Sequence, residues 1–258
     1  MRCRVLALFL VSVLICLTVP SLTAQETEKM PELYLVEIAV VKPGMVEKHD
    51  AALKKMVEMC TEFGYPHPWY AYATSDFHYY YVFPIEGMSG MEKIFSDWNK
   101  VVQGFGEKEF YKFYQKYSAT NDYYEYHIVR YRPELSYLKE EETSQMLPFV
   151  MWGFTYIIPG KENEMEDLFK KWVTLYKEND FPYGFETYTV QMGGEMPMIF
   201  YVERAKTAAH LFTMGDKIYE IAGKEVEALW METLKLCRKY ENKMGLFRSD
   251  LSYMPKKE

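Results

Sequence analysis

One sequence pattern occurs twice in this chain, with the two copies 116 residues apart. The segment Val41–Gly44 (Val-Lys-Pro-Gly) returns as Ile157–Gly160 (Ile-Ile-Pro-Gly). Near the end of each copy, Arg132–Tyr137 (Arg-Pro-Glu-Leu-Ser-Tyr) returns as Arg248–Tyr253 (Arg-Ser-Asp-Leu-Ser-Tyr). Because this separation is the same at both ends of the copies, we expect one structural unit to be present twice.

Each copy predicts the element order β-α-β-β-α-β. A strand such as Leu33–Val41 ends at a Pro-Gly turn, and an amphipathic helix, two strands, a helical stretch and a last strand follow. This is the order of the ferredoxin-like motif. We place the first repeat at residues 32–137, a charged linker at 138–147 and the second repeat at 148–258.

The first 24 residues have the layout of a secretory signal peptide. Arg2 and Arg4 precede an apolar run from Val5 to Val19, and small residues end the segment at Ala24. The run is short for a bilayer span, although an uncleaved N-terminal anchor is the alternative. We therefore expect a secreted or periplasmic protein with a short tail at residues 25–31 and no membrane span after cleavage.

Composition excludes some classes of partner. The formal net charge is −7, which disfavours nucleic-acid binding because phosphate contacts need clustered Lys and Arg. Aromatic residues make up 17% of the chain, and 23 of them are Tyr. A small-molecule ligand is the expected partner, and a homo-oligomer is compatible with the sequence.

The repeated unit leaves one face of each sheet without helices, and that face must be covered. The chain resembles the dimeric α/β-barrel superfamily in three features. These are the Pro-Gly turns after the first strands, at Pro43-Gly44 and Pro159-Gly160, the long helices that follow them, and the presence of two copies of the unit. The resemblance implies an α+β fold in which two ferredoxin-like repeats close one barrel inside a single chain. The superfamily includes NIPSNAP-like proteins, cofactor-independent monooxygenases and chlorite dismutase-like haem proteins, and no motif selects among them.

Alternation along the strands assigns residues to the two sheet faces. We assign Val82 and Val202 to the helix side because both copies are apolar there, so the Tyr- and Glu-rich face points into the barrel. This predicts a partly wet cavity inside the barrel that holds an apolar or aromatic ligand. The alternative is that these side chains only pair with one another. The predicted ligand-binding residues are Tyr70, Tyr72, Tyr79, Tyr81, Glu186, Tyr188, Tyr201 and Glu203.

Catalysis in the same cavity is a second hypothesis. Glu125 and His127 are two apart on a strand, so they share a face and could act as a carboxylate-oriented base, with Glu37 as a further acid–base group. A structural His is the alternative for His127. The sequence has no metal-binding motif and predicts no metal or other cofactor. A haem member remains a weaker alternative, with His210 as the candidate ligand by analogy with tandem haem proteins.

The repeated Arg motif predicts a structural role. Arg132 and Glu134, like Arg248 and Asp250, are two apart on an extended chain. A device that serves the fold is expected in both copies, whereas a single active site is not. We therefore interpret these four residues as a structural contact that joins the two repeats across the pseudo-two-fold axis, rather than as residues that hold a ligand. A third reading of the whole chain is an interaction module without a ligand.

Overall fold

A computed structural model describes residues 32–139 and 146–256. The predicted signal peptide at 1–24, the tail at 25–31 and linker residues 140–145 lie outside this description. The described elements are β1 (Leu33–Val41), α1 (Val46–Glu62), β2 (Tyr70–Thr74), β3 (His78–Ile85), α2 (Ser89–Phe105), α3 (Glu107–Ser118), β4 (Asn121–Tyr131), β5 (Phe149–Ile157), α4 (Glu162–Glu178), β6 (Glu186–Met192), β7 (Met198–Ala205), α5 (Ala208–Lys235) and β8 (Cys237–Phe247), with 3-10 turns at Pro43–Met45, Pro133–Leu135 and Ser249–Leu251.

The eight strands form one closed antiparallel barrel in the order β1-β3-β2-β8-β5-β7-β6-β4. Two seams join the halves of the chain: β2 pairs with β8, and β4 pairs with β6. Closure leaves no sheet edge open to further pairing. The α+β class and the barrel expected from the sequence are therefore present.

Local sequence explains most element boundaries. Pro43 opens the 3-10 turn that leads from β1 into α1, and Gly106 separates α2 from α3 with a φ of 94° that favours glycine. Helix α5 bends at Ala222, whose φ of −142° and ψ of 36° are not helical. The helical spacing of apolar residues in the second repeat predicts a helical stretch over residues 208–242. This prediction is wrong beyond Lys235, because β8 begins at Cys237 and pairs along the length of β5.

Apolar side chains from all eight strands, and none from a helix, fill the inside of the barrel. Tyr80 stacks on Trp152 with ring centroids 5.3 Å apart, and Tyr188 stacks on Phe200 at 5.1 Å. The buried members of this inner cluster are Tyr34, Val36, Ile38, Tyr72, Tyr80, Val129, Val150, Trp152, Phe154, Tyr188, Val190, Met198 and Val202. The inside of the barrel is thus a packed core, as is usual for eight strands.

The repeated Arg motif connects each half to the first helix of the other. Arg132 follows β4 and makes a bidentate ion pair with Glu166 on α4, at 2.7 and 2.9 Å. Arg248 follows β8 and contacts Asp50 on α1 at 2.7 Å. Each Arg also contacts the acidic residue two positions on, Glu134 or Asp250.

The segment after each Arg also enters the other half's helix-side core. Leu135 packs among the residues of the second half, and Leu251 among those of the first, both with no exposed surface. Two isolated β-bridges also join the halves: Tyr137 pairs with Phe185, and Trp69 pairs with Tyr253. Each half therefore completes the core of the other.

Arg132→Ala should lower the free energy of unfolding by about 1–2 kcal/mol, because it removes a partly buried bidentate pair. Lys170→Ala is the matched control, since it breaks an exposed pair with Asp167 on the same helix α4 and should change stability by less than about 0.5 kcal/mol. Urea titrations of both variants measure the difference. Equal stabilities of the two variants would show that the Arg132 contact does not hold the halves together.

Candidate functional site

A cavity of about 240 Å³ lies between the outer face of the second-half sheet and helices α4 and α5. The exposed ring of Tyr219 stands at its mouth. Nine of the lining residues are aromatic. The lining is Thr155, Phe169, Trp172, Tyr176, Tyr183, Phe185, Tyr201, Glu203, Gly215, Ile218, Tyr219, Val226, Trp230, Thr233, Tyr240 and Asn242.

Gly153 determines the floor of this cavity. A Cβ on Gly153 would lie 2.2 Å from Cζ of Tyr201, so only glycine lets the Tyr201 ring lie across β5. From there the Tyr201 hydroxyl meets the Tyr240 hydroxyl at 2.6 Å, and Tyr240 donates to Asn242 Oδ1 at 2.6 Å. The floor is therefore an aromatic ring whose hydroxyl is part of a hydrogen-bonded chain.

Glu203 on β7 places a carboxyl group in this aromatic setting. Its residue is 5% exposed, and the Tyr183 hydroxyl donates a hydrogen bond to it. Burial disfavours the charged form and raises the pKa of Glu203 to about 7, while the Tyr183 bond opposes the shift. The carboxyl can therefore take up or release a proton near neutral pH.

Thr155 on β5 supplies a second polar group. It is 1% exposed, and its hydroxyl has no hydrogen-bond partner among the described residues. Buried polar groups in proteins are normally paired, because an unpaired one costs about 1–3 kcal/mol. Thr155 lines the cavity, but its hydroxyl oxygen is enclosed, so a bound molecule reaches it only when the Thr155 side chain turns toward the cavity.

The same region of the first half is filled by its own side chains. His49 on α1 is fully buried, and its Nε2 accepts a hydrogen bond from the Tyr81 hydroxyl at 2.7 Å. Its Nδ1 donates to Thr120 Oγ1 at 2.9 Å, because the Thr120 hydroxyl itself donates to the carbonyl of Tyr117. Burial lowers the pKa of His49 to about 4, so the ring is neutral and structural.

Glu37 on β1 is the buried carboxyl of the first half. Burial raises its pKa to about 7, and a hydrogen bond from Tyr126 opposes the shift. Glu37 pairs with Tyr81 across β3 and with Tyr126 across β4, beneath the helices of the first half. It does not line the cavity of the second half, so it is separated from Glu203.

The sheet faces were assigned correctly for some strands and wrongly for others. On the inner face the structure places Tyr70, Tyr72, Glu186 and Tyr188, together with Glu125 and His127. On the helix side, against expectation, it places Glu37, Tyr79, Tyr81, Tyr201 and Glu203. Val82 and Val202 pack in the core inside the barrel, whereas the helices supply polar partners to the outer face, such as Asp50 to Tyr79. The predicted cavity inside the barrel is therefore wrong in location.

The remaining catalytic candidates lie away from the cavity. His127 contacts Glu125 at 3.2 Å, and the hairpin glycines Gly193 and Gly194 pack closely on its ring. Burial lowers the pKa of His127, and the Glu125 carboxylate partly opposes this. His210 is exposed at the start of α5 and does not line the cavity, so it does not supply an axial haem ligand there.

At the barrel end near β6, Glu186 forms an ion pair with Arg204 at 2.9 Å, and Arg204 also donates to the Tyr72 hydroxyl. This arrangement satisfies the charge of Glu186 within the chain. Within residues 32–139 and 146–256, no three His, Cys, Asp or Glu side chains are grouped as a metal site. No helix in those same ranges is long and apolar enough to cross a membrane.

Sequence reasoning missed the wall of the cavity. Trp172 and Tyr176 on α4, and Trp230 on α5, have the spacing of an ordinary helix core, so nothing distinguished them. Gly153 was the available signal. It stands in the middle of a strand, where glycine often marks a close approach of another group, and the corresponding residue in the first half is Glu37.

No protein-family model matches the sequence, and no curated protein matches it either. Among solved structures, an anthrone oxidase-like protein superposes with a TM-score of 0.60 at 7% identity, over 85% of this chain and 92% of that one. A candidate monooxygenase of Lactobacillus acidophilus NCFM superposes with a TM-score of 0.52 at 8% identity, over 87% of this chain and 96% of that one. Another candidate monooxygenase, from Fusobacterium nucleatum, superposes with a TM-score of 0.50 at 11% identity, over 85% of this chain and 93% of that one. This chain therefore has the dimeric α/β-barrel fold, and no subfamily is assigned.

Glu203→Gln should stabilise the protein above pH 7 and change little near pH 4.5. The folded state holds the proton of Glu203 up to a pKa of about 7, so stability is lost as pH rises from the ordinary value of 4.5 to 7. The penalty that Gln removes at pH 8 is at most about 3 kcal/mol. Urea titrations at pH 4.5 and 8 measure it. An effect of the same size at both pH values would contradict the raised pKa.

Proposed function

We propose that this chain is an exported protein that binds a small aromatic molecule in the cavity of its second half. The observation that supports this most directly is the cavity itself, which occupies about 240 Å³, is lined by nine aromatic residues and has the enclosed, unpartnered Thr155 hydroxyl in its wall. A bound molecule with one oxygen or nitrogen atom would satisfy that hydroxyl once the Thr155 side chain turned toward the cavity. Export rests on the signal-like residues 1–24, and we propose a secreted or periplasmic location on that basis.

The size of the cavity limits the ligand. Pockets for drug-sized molecules occupy roughly 300–1,000 Å³, whereas benzene fills an engineered cavity of about 150 Å³. A volume of about 240 Å³ therefore suits a single substituted ring rather than a fused polycyclic molecule. Aromatic walls favour such a ring through offset and edge-to-face contacts.

We also propose that the two halves are tandem ferredoxin-like repeats. Both halves have the same strand order around the barrel, with the first strand flanked by the third and fourth. The two Arg contacts are related by the same separation of 116 residues at both partners, Arg132 to Arg248 and Asp50 to Glu166. Duplication followed by divergence explains why only the second half keeps the cavity described here.

An enzyme is the second candidate. Glu203 has a pKa near 7 beside the cavity, which is where a general base works best at neutral pH. The folds of an anthrone oxidase-like protein and of candidate monooxygenases are compatible with oxidation of a phenol in such a place. On this hypothesis Glu203 would accept the phenolic proton.

p-Cresol should bind the protein with one site per chain in isothermal titration calorimetry. Val226→Phe fills part of the cavity and should weaken binding at least tenfold, because Val226 lines it. Val57→Phe adds the same ring on α1 of the first half and should leave binding unchanged. Equal affinity in the two variants, or no saturable binding by the unmodified protein, would contradict the proposal.

The same preparation tests the enzyme candidate. Oxygen-electrode recordings with hydroquinone should show an uptake that needs Glu203, since two-electron oxidation by O₂ gives benzoquinone and hydrogen peroxide. Uptake abolished by Glu203→Gln would favour the enzyme. Uptake equal to that of buffer alone would leave p-cresol binding as the function supported.

A further inference from the structure

We infer that the ligand is an organic cation: an aromatic amine whose ammonium group pairs with Glu203 and whose ring lies on Tyr201. This rests on the proposed function of the cavity and specifies its ligand class. Four features of the site lead to it: the unpaired charge of Glu203, the aromatic walls, the length of the floor and the hydroxyl at its far end.

Glu203 has no cation of its own. No ion pair in the described part of the chain involves Glu203, and none of the described lining residues is Lys, Arg or His. By contrast, the partly buried carboxylate at the start of β6 is paired, since Arg204 contacts Glu186 at 2.9 Å. A buried carboxylate is costly unless it is paired and hydrogen-bonded. A cationic ligand supplies the missing charge, whereas a neutral ligand leaves it uncompensated.

Aromatic walls favour a cation near that carboxylate. Tyr176 lies on α4, Tyr183 lies in the segment after it, and Phe185 directly precedes β6. All three line the cavity beside Glu203. The negative faces of such rings attract ammonium groups, more strongly when water is excluded. The net charge of −7 also raises the local concentration of cations around the protein.

The distance between Glu203 and Thr155 along the floor of the cavity sets the length of the ligand. Glu203 pairs with Met151 across β5, and Thr155 lies four residues further along the same strand. Four residues of strand span roughly 13 Å between Cα positions, and both side chains shorten the gap. Tyr201, which pairs with Gly153, lies between them. A single ring with a short aminoalkyl arm and a hydroxyl at the opposite end matches this arrangement.

Thr155 would recognise that opposite end. Its hydroxyl is enclosed and unpaired, so turning it toward the cavity would let a phenolic or similar oxygen there make a hydrogen bond that the empty chain lacks. The ligand class is therefore a hydroxylated arylalkylamine, and tyramine is a suitable probe. Its alcohol counterpart, 4-(2-hydroxyethyl)phenol, has nearly the same shape without the charge.

Calorimetric titration at pH 8 compares the two probes on the intact protein. Tyramine should bind at least tenfold more tightly than 4-(2-hydroxyethyl)phenol. Glu203→Gln should abolish that preference while keeping the affinity for the neutral probe. Glu37→Gln, which changes the other buried carboxyl with a raised pKa, should keep the preference because Glu37 lies outside the cavity.

The outcomes separate the ligand class from the proposed function. If both probes bind equally to the unmodified protein and Val226→Phe weakens both, the cavity binds neutral molecules and the inference is wrong. If the amine preference persists in Glu203→Gln, the cation is bound elsewhere and the inference is also wrong. If neither probe nor p-cresol binds, the proposed function fails and the inference fails with it.

Discussion

Each half of this chain carries helices on only one face of its four-stranded sheet, and the uncovered face cannot remain in water. The two faces cover each other, which closes eight strands into a barrel filled by stacked aromatic and aliphatic side chains. The barrel interior is packed, and the aromatic cavity of the described residues lies on the helix side. The location of the cavity is thus a consequence of how the barrel closes.

The two halves use the helix side differently. In the first half, Tyr81 turns to the buried His49 and the space is filled by hydrogen-bonded rings. In the second half, Gly153 lets Tyr201 lie flat across the strand, and α5 bends at Ala222, between the cavity-lining residues Ile218 and Val226. A buried carboxyl occurs in both halves but at different strands, Glu37 on β1 and Glu203 on β7. The first half is therefore filled by its own side chains, while the second half has a cavity with an ionisable group.

Much of the fold could be predicted from the sequence, because it depends on periodicity and repetition. The limits of β1 and β5 agree with the Pro-Gly turns that follow them, and the Arg132 and Arg248 contacts cross between halves as their recurrence indicated. The beginning of β8 was misassigned because Cys237 and the apolar residues around it fit a helical spacing as well as a strand.

The site could be predicted only in part. Tyr201 and Glu203 were identified as candidates, but on the wrong face, because polarity was taken to mark the inside of the barrel. Both faces carry polar groups, since Glu186 pairs with Arg204 on the inner face whereas Glu37 and Glu203 lie beneath the helices. Polarity alone therefore does not identify the inside of the barrel. Thr155 and the aromatic residues on α4 and α5 could not be identified as site residues, because they are far apart in the sequence and meet only in the folded structure.

The most direct test of this account is the position of a bound ring in a crystal of the protein soaked with 4-bromophenol. Anomalous scattering from bromine would locate the ring without assumptions about its chemistry. The account predicts a bromine between α4, α5 and the sheet, within contact of Tyr201 and Trp172. Bromine inside the barrel beside Trp152, or against His49 in the first half, would contradict it.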